Sequence, residues 1–534
     1  MEKTVFGYVW QYSRQQQIIM TLMSAASLPF LYLYYEVPKT IINQAIQGSG
    51  VEYPLNISKK LTFSAFGVEI PLLGPFDLLI EQTPYLFILC ALFLILVGVN
   101  QGFKFVINIY KGLTGERMLR RLRFELYGRV LRFPLPVFGK MSQGEIIPMI
   151  TSEVEPLGGF IGNAFSLPAF QGGYLATILA FLFMQDWRMA IAAVALYPLQ
   201  LWLIPKLQMK VNLLGKERVA RVRRLSERIG ETVQGVQEAH AHDNSNFMLT
   251  DFSDQLYWIY GVRERIYRKK FVIKFLNNSI QQLGPFCFYS IGGYFVIHGH
   301  LEIGTLVAAI AAHKDLAAPW KELLAYYQMQ ADASIKYEQV VSQFSPAGIR
   351  EPEYQMVEPD KLEPLTGELA ASNLTLIDDQ EAPVVDGVSL RLSLNKRYAI
   401  VGSGGSGKEE LTLLLARLLD PNGGTINIGG IDAAIMSEAV TGRRISYVGA
   451  SSFVFAGRIS ANLFLGLKHR PQRQFEHDDI AEKQRANYVD EARRSGNIDY
   501  DIEADWVDYA AAGVDDPADL GRMGLAALRQ IGME

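Results

Sequence analysis

At 534 residues the chain exceeds one ordinary domain. It is 49% hydrophobic and 20% charged, and its net charge of −4 excludes a basic protein that holds nucleic acid by charge. Cys90 and Cys287 both lie in apolar runs and read as packing residues. A mean hydropathy of +0.10 hides a division: long apolar stretches reach to about residue 325, and the remainder has a soluble composition.

The N-terminal MEKTVFGYVWQYSRQQQ is polar and aromatic and has no signal-peptide cleavage motif. Phe6, Tyr8, Val9, Trp10 and Tyr12 suit a short helix lying on the membrane surface. Six apolar runs follow, at about 18–35, 85–109, 160–184, 189–204, 271–297 and 303–318. Most approach or exceed the roughly 20 residues that cross a bilayer; the fourth and sixth are marginal. An even number of crossings returns the chain to its starting side. Basic residues crowd the connections at 110–159 and 205–270, while the alternate connections are poor in them. The bias predicts that both termini are cytoplasmic. The first outer connection, about 47–84, is long enough to fold partly on its own.

Both inner connections read as continuous helices, GERMLRRLRFELYGRVLRF and KERVARVRRLSERIGETVQGVQEAH, which would carry the membrane helices into the cytoplasm. Residues 345–367 hold Pro346, Pro352, Pro359 and Pro364 without apolar periodicity and mark a linker. Strand-like runs follow, ELAASNLTLI and VSLRLSLNKRYAIV, the second ending at Val401. Then comes GSGGSGKEE: Gly402, Ser403, Gly404, Gly405, Ser406, Gly407, Lys408 and Glu409, with a leucine-rich helical pattern behind it. Glycines let backbone N–H groups approach a phosphate, and the helix start adds positive potential. Lys408 would reach the terminal phosphates.

Several segments together resemble an ATP-binding cassette exporter, with six membrane helices followed by a nucleotide-binding domain. GSGGSGK resembles that family's phosphate loop, and LLARLLDPNGGTINIGGIDAAIM the segment after it. GRRISYVGASSFVFAGRISANLFLG resembles the stretch around the family's glutamine loop, and YFVIHGHLEIGTLVAAIAAHKDLAAPWKEL its last two spans. FPLPVFGKMSQGE and AHAHDNSNFMLTDF fall where the family places coupling helices. The resemblance runs to about residue 467 and implies a dimeric transporter, because the family's ATP sites form between two such domains.

The departures are specific. Glu409 stands where the family has a Ser or Thr hydroxyl for Mg²⁺. Asp378 or a neighbour replaces an adenine-stacking aromatic, and Ala450 the glutamine that senses the γ-phosphate. An acidic, helix-prone insertion is expected at about 468–520, then GLAALRQIGME, similar to the helix before the family's signature. No signature, strand ending in Asp-Glu or switch histidine appears, so this chain alone is not expected to hydrolyse ATP. Two readings stay open: the residues are the front of a longer polypeptide, or a truncated subunit paired with a competent one.

Among single features, Asn277, Asn278, Gln281 and Gln282 fall at helical spacing in the fifth run and serve either helix–helix contact or a substrate pathway. His298, His300 and Glu302 spell H-x-H-x-E on the outer side. The expected fold is an α-helical membrane domain (1–344), a linker (345–367) and a partial α/β P-loop domain (368–534). The expected function is ATP-driven export of an amphipathic or lipid-like substrate across a plasma or bacterial inner membrane, with a second ABC half as partner and ATP with Mg²⁺ as cofactor. The alternative is a non-catalytic subunit that binds or senses nucleotide.

Overall fold

The computed structural model describes residues 1–533 apart from 49–50, 57–61, 66–67, 72–78, 142, 196, 357–361, 379 and 451. The central stretch of the predicted linker therefore lies outside the described residues. The chain forms two compact units. One joins Met1–Arg14, Gly112–Gly162 and Gln330–Glu534; the other joins Gln15–Lys111 and Asn163–Met329.

The second unit is helical. It holds α4 (Ser166–Gln185), α5 (Tyr197–Gln234) and α6 (Ser245–Cys287) whole, and the parts of α1 (Val5–Thr40) from Gln15, of α2 (Gln82–Val130) to Lys111 and of α7 (Ile303–Gln343) to Met329. Between α2 and α4 lies the short α3 (Leu135–Lys140), which belongs to the other unit. Leu31, Tyr35, Phe181, Leu182, Phe288 and Leu316 bury together as the unit's core. On α2, Phe87, Leu94 and Ile95 are 68%, 71% and 61% exposed, the pattern of a helix whose outer face meets lipid.

Among the described residues three helical stretches are long and apolar enough to cross a membrane: Val5–Ile46, Gln82–Val130 and Ser166–Gln185. The other three predicted spans are helical but diluted. Around the fifth, Lys274 and the amides Asn277 and Gln282 interrupt the apolar run; in the sixth, His313, Lys314 and Asp315 do. The fourth falls on two helices, Trp187–Val194 and the start of α5. The outer connection forms two small antiparallel pairs, β1 (Leu55–Asn56) with β4 (Leu79–Ile80) and β2 (Thr62–Ala65) with β3 (Val68–Pro71).

Helix α6 approaches α7 closely at Gly284, where a Cβ would overlap the His313 ring. That explains a glycine in a helix interior, which otherwise costs about 1 kcal/mol. Glu302 accepts a hydrogen bond from Asn43, and His298 Nδ1 lies 2.9 Å from the Tyr294 carbonyl. No group of three metal-ligating side chains occurs among the described residues.

In the first unit, the inner connection predicted to be helical continues α2 without interruption to Val130. Its tip is tied to the linker. Arg350 N–H donates to the Arg132 carbonyl at 3.1 Å, Gln355 donates to the Leu131 carbonyl at 3.1 Å, and Phe133 packs on Phe344. The C-terminal part is built on a four-stranded antiparallel sheet, in the order β6 (Pro383–Ser393), β5 (Glu368–Ile377), β7 (Gly423–Ile428), β8 (Ile431–Asp432). Helix α8 (Lys408–Leu415) drives Leu414 into a core with Leu374, Val385, Ile426 and Ile428.

The segment predicted as a helical insertion holds one helix between two strands. β9 (Lys468–Arg473) pairs antiparallel with β10 (Asp505–Val507), and α9 (Asp479–Ser495) lies between them. Asp478 caps α9 by accepting from Ala481 N–H, and left-handed Gly496 ends it. Helix α10 (Pro517–Gln530) follows, with Asp516 as its cap.

Helix α9 docks on the basic extension of α2. Arg117 donates to both oxygens of Glu491, at 2.9 and 2.6 Å, and the Arg120 guanidinium lies 5.3 Å from the centre of the Tyr488 ring. The hydrogen bond from Arg117 holds the Glu491 carboxyl below the usual carboxylate range. A depressed folded value means the contribution is complete above the unfolded value, about 4.3, and is lost as pH falls through the folded one. We expect hydrogen-exchange protection of 479–495, corrected for intrinsic rates, to fall in that acidic window. Glu491→Gln should lower protection already at neutral pH and flatten its pH dependence; unchanged protection would contradict the docking.

Candidate nucleotide site

The glycine loop joins the sheet to α8. Strand β6 ends at Ser393, eight residues before Val401, and the predicted continuation through Tyr398–Val401 is not a strand. A strand needs a neighbour, and among the described residues 398–401 pair with none. Val401 is 90% exposed. Val448, Phe453 and Ile459 are also at least 80% exposed.

The loop's last glycine sets the helix start. Gly407 has φ +77 and a Cβ there would overlap the Val384 carbonyl oxygen. Gly405 has φ +74, a second left-handed position. From Gly402 to Ser406 the loop is exposed; Gly407 is buried against β6. The N–H groups of Ser403, Gly404, Gly405, Ser406 and Gly407 donate to no protein acceptor among the described residues. Five unengaged backbone donors running into a helix N-terminus fit an anion. Lys408 Nζ donates to the Ser403 carbonyl at 2.9 Å, which places its charge inside the loop.

Glu409 is the second residue of α8 and is exposed, and its carboxylate has no ion pair among the described residues. Its backbone carbonyl accepts from Thr412 Oγ1 at 2.7 Å. Asp378 is engaged in the β5–β6 turn: one carboxylate oxygen accepts N–H bonds from Gln380 and Ala382, both at 2.8 Å. It is a turn residue, in the manner that makes Asp common in turns. Ala450 lies exposed in the segment after α8's sheet partners and brings no polar group. The eight loop residues are thus contiguous in space, whereas Asp378 and Ala450 supply no base-stacking or phosphate-sensing group.

One connection escaped sequence reasoning. Arg417, left-handed at φ 62, follows α8 and donates to the Ala433 carbonyl at 2.8 Å, and Arg350 of the linker donates to the Arg417 carbonyl at 3.2 Å. Burial lowers the Arg417 pKa. The linker thereby grips the far end of the helix whose near end forms the loop. A non-glycine residue at positive φ leaves no mark in sequence periodicity. A second feature that went unnoticed is a cavity among α1, α2, α4 and α7, lined by charged and carboxamide side chains.

Comparison with known proteins places these parts. Residues 70–314 match the model of the ABC transporter transmembrane region, and residues 385–504 match a model described as ABC transporter, together more than half of the chain. The second match begins inside β6, spans the glycine loop and continues through α9. An uncharacterized ABC transporter ATP-binding protein of Bacillus subtilis is 23% identical over 74% of this chain and 66% of its own length. A fatty acid ABC transporter ATP-binding/permease protein of Mycobacterium bovis is 24% identical over 71% of this chain and 58% of its own. An ATP-dependent lipid A-core flippase of Syntrophus aciditrophicus is 24% identical over 69% of this chain and 61% of its own. The chain spans less than two thirds of the length of each of these relatives. With a helical membrane region followed by an ATP-binding cassette region in one polypeptide, it belongs to the ABC transporters of the exporter type.

Proposed function

We propose that this protein uses ATP to move an amphipathic or lipid-like substrate outward across a plasma or bacterial inner membrane, together with a second ABC half. The observation that carries this is the loop of unengaged backbone donors and Lys408, held by the same linker that ties down the tip of the α2 extension. Relatives named for fatty acid and for lipid A-core agree with an amphiphile. A second half is favoured by apolar side chains left exposed on the second inner connection: Val233, Phe247 and Leu249 are each at least 66% exposed.

In this reading the backbone donors of 403–407 and the Lys408 ammonium hold the phosphates of ATP, and Mg²⁺ when bound neutralises part of their charge. Glu409 opposes them. Two unit charges about 4 Å apart repel by roughly 1 kcal/mol in water and about 4 kcal/mol at an effective dielectric of 20. The exposure of Glu409 puts the cost toward the lower end. Titration with ATP and Mg²⁺ should therefore show weak binding that Glu409→Ser tightens by about five- to thirtyfold. No tightening would show that Glu409 does not weaken the site. Absence of any nucleotide binding in the native protein would overturn the energised reading.

A further inference from the structure

Positive charge collects where the fourth and fifth apolar runs meet the second inner connection. Residues 206–218 of α5 and 263–274 of α6 hold ten basic side chains and two acidic ones. Val211, Val262 and Ile266 pack together between the two helices, which keeps both basic stretches at one level. Both acidic groups are already engaged: Glu264 holds Arg268 at 2.7 Å, and Glu217 holds Arg221 at 3.0 Å and Arg265 at 3.4 Å. Lys206, Lys210, Lys216, Lys269, Lys270 and Lys274 are exposed and have no ion pair among the described residues. The α2 extension is equally basic but uses its arginines on protein: Arg117 on Glu491, Arg123 on Glu155, and Arg129 and Arg132 on the Phe344 and Arg350 carbonyls.

Aromatic rings accompany the unpaired cations. On α6, Arg263, Tyr267, Lys270 and Lys274 recur at spacings of four, three and four and share one face. Arg263 donates to Tyr267 Oη at 3.4 Å; that bond and the charges of Arg263, Lys270 and Arg218 hold the Tyr267 hydroxyl below the usual phenol range. The Tyr267 ring stacks on Phe271, with 6.3 Å between centres. On α5, Trp202, Lys206 and Lys210 recur every four residues, and Lys206 Nζ lies 5.1 Å from the centre of the Trp202 ring. Trp202, Phe271 and Phe275 are 64%, 62% and 70% exposed. Exposed rings with cations a turn away suit the headgroup level of a bilayer, where rings meet acyl chains and long side chains reach back to phosphate. Lys274, one turn inside the fifth apolar run, has the stem to do so.

We propose that the base of the α5–α6 pair is a docking surface for anionic phospholipid, with headgroup phosphates on Lys206, Lys210, Lys270 and Lys274 and acyl chains against Trp202, Phe271 and Phe275. Charge complementarity selects this occupant: a basic cluster beside a membrane span gains from each anionic headgroup it meets. The transmembrane-region match covers both stretches, and the binding requires neither nucleotide nor transport. The test uses the full chain in nanodiscs of phosphatidylcholine alone or mixed with phosphatidylglycerol in both leaflets. Lysines are acetylated with an uncharged ester and read one by one by mass spectrometry. Lys206, Lys210, Lys270 and Lys274 should label about fivefold more slowly in the anionic discs, and the distant Lys396 at the same rate in both. Equal labelling in the two discs overturns the proposal: fast labelling leaves a solvated face, slow labelling a face covered by a second copy or another protein. Slowing by glycerol phosphate in neutral discs also overturns it, in favour of a free-phosphate site. A second measurement is the preference for spin-labelled phosphatidylglycerol over spin-labelled phosphatidylcholine. Lys270→Gln/Lys274→Gln should reduce that preference by about threefold or more. Arg223→Gln/Arg224→Gln, which removes the same charge about 27 Å farther along α5 than Lys206, should not. Equal losses in both pairs would overturn the local site and leave only an effect of net charge.

Discussion

Lys408→Ala should weaken ATP binding by about ten- to a hundredfold. A hydrogen bond to a charged group contributes about 1.5–3 kcal/mol, and each 1.4 kcal/mol is a factor of ten. The loss has a second source. Lys408 Nζ holds the Ser403 carbonyl at 2.9 Å, so removing it also loosens the loop that presents the backbone donors. Lys408→Arg should recover only part, because the planar fork cannot place one compact charge where the ammonium sits. The measurement is equilibrium titration with ATP and Mg²⁺, with helix content checked by circular dichroism. Equal affinity in Lys408→Ala and native protein would remove the loop as the nucleotide site.

Gly407→Val should be the most damaging single change in the C-terminal part. At φ +77 a β-branched residue is forced into a conformation that costs L-residues about 1–2 kcal/mol or more. Its Cβ would also overlap the Val384 carbonyl, so β6 must shift or α8 must leave the sheet. Leu414 then loses its place beside Leu374 and Ile426, and burying a side chain of that kind contributes about 1.5–3 kcal/mol. The predicted result is loss of ATP binding together with faster proteolysis across 383–436. Lys408→Ala should weaken ATP binding with any faster cleavage confined to the glycine loop, not spread across the sheet. A Gly407→Val protein as resistant to protease as the native one would contradict the packing described.

The sequence made a helix behind the glycine loop legible, starting by Glu410, because a glycine-rich loop followed by a leucine-rich run has few other uses; the structure starts it at Lys408. It placed the domain order and the long extension of α2 for a similar reason: apart from Pro84 in the first turn, the 49 residues of Gln82–Val130 contain no proline, which allows little else. It misjudged Tyr398–Val401, whose apolar pattern suits a strand but whose ladder depends on a neighbour that local pattern cannot supply. The segment at 468–520 misled in another way. Charged residues favoured a helix, yet Lys468–Arg473 and Asp505–Val507 pair across the helix that separates them, a non-local event. The departures at Asp378 and Ala450 were legible as residues, and the structure adds that Asp378 is held by its own turn.

In the proposed function, ATP binding at the Gly402–Lys408 loop energises movement of an amphiphile through the membrane unit. The most direct measurement reconstitutes the purified protein in sealed vesicles carrying a dansyl-labelled fatty acid and follows its movement between leaflets with and without ATP and Mg²⁺. Movement should require ATP and be abolished by Lys408→Ala. Movement at the same rate without nucleotide, or unchanged in Lys408→Ala, would contradict it and leave a membrane protein whose cassette region binds or senses nucleotide without driving transport.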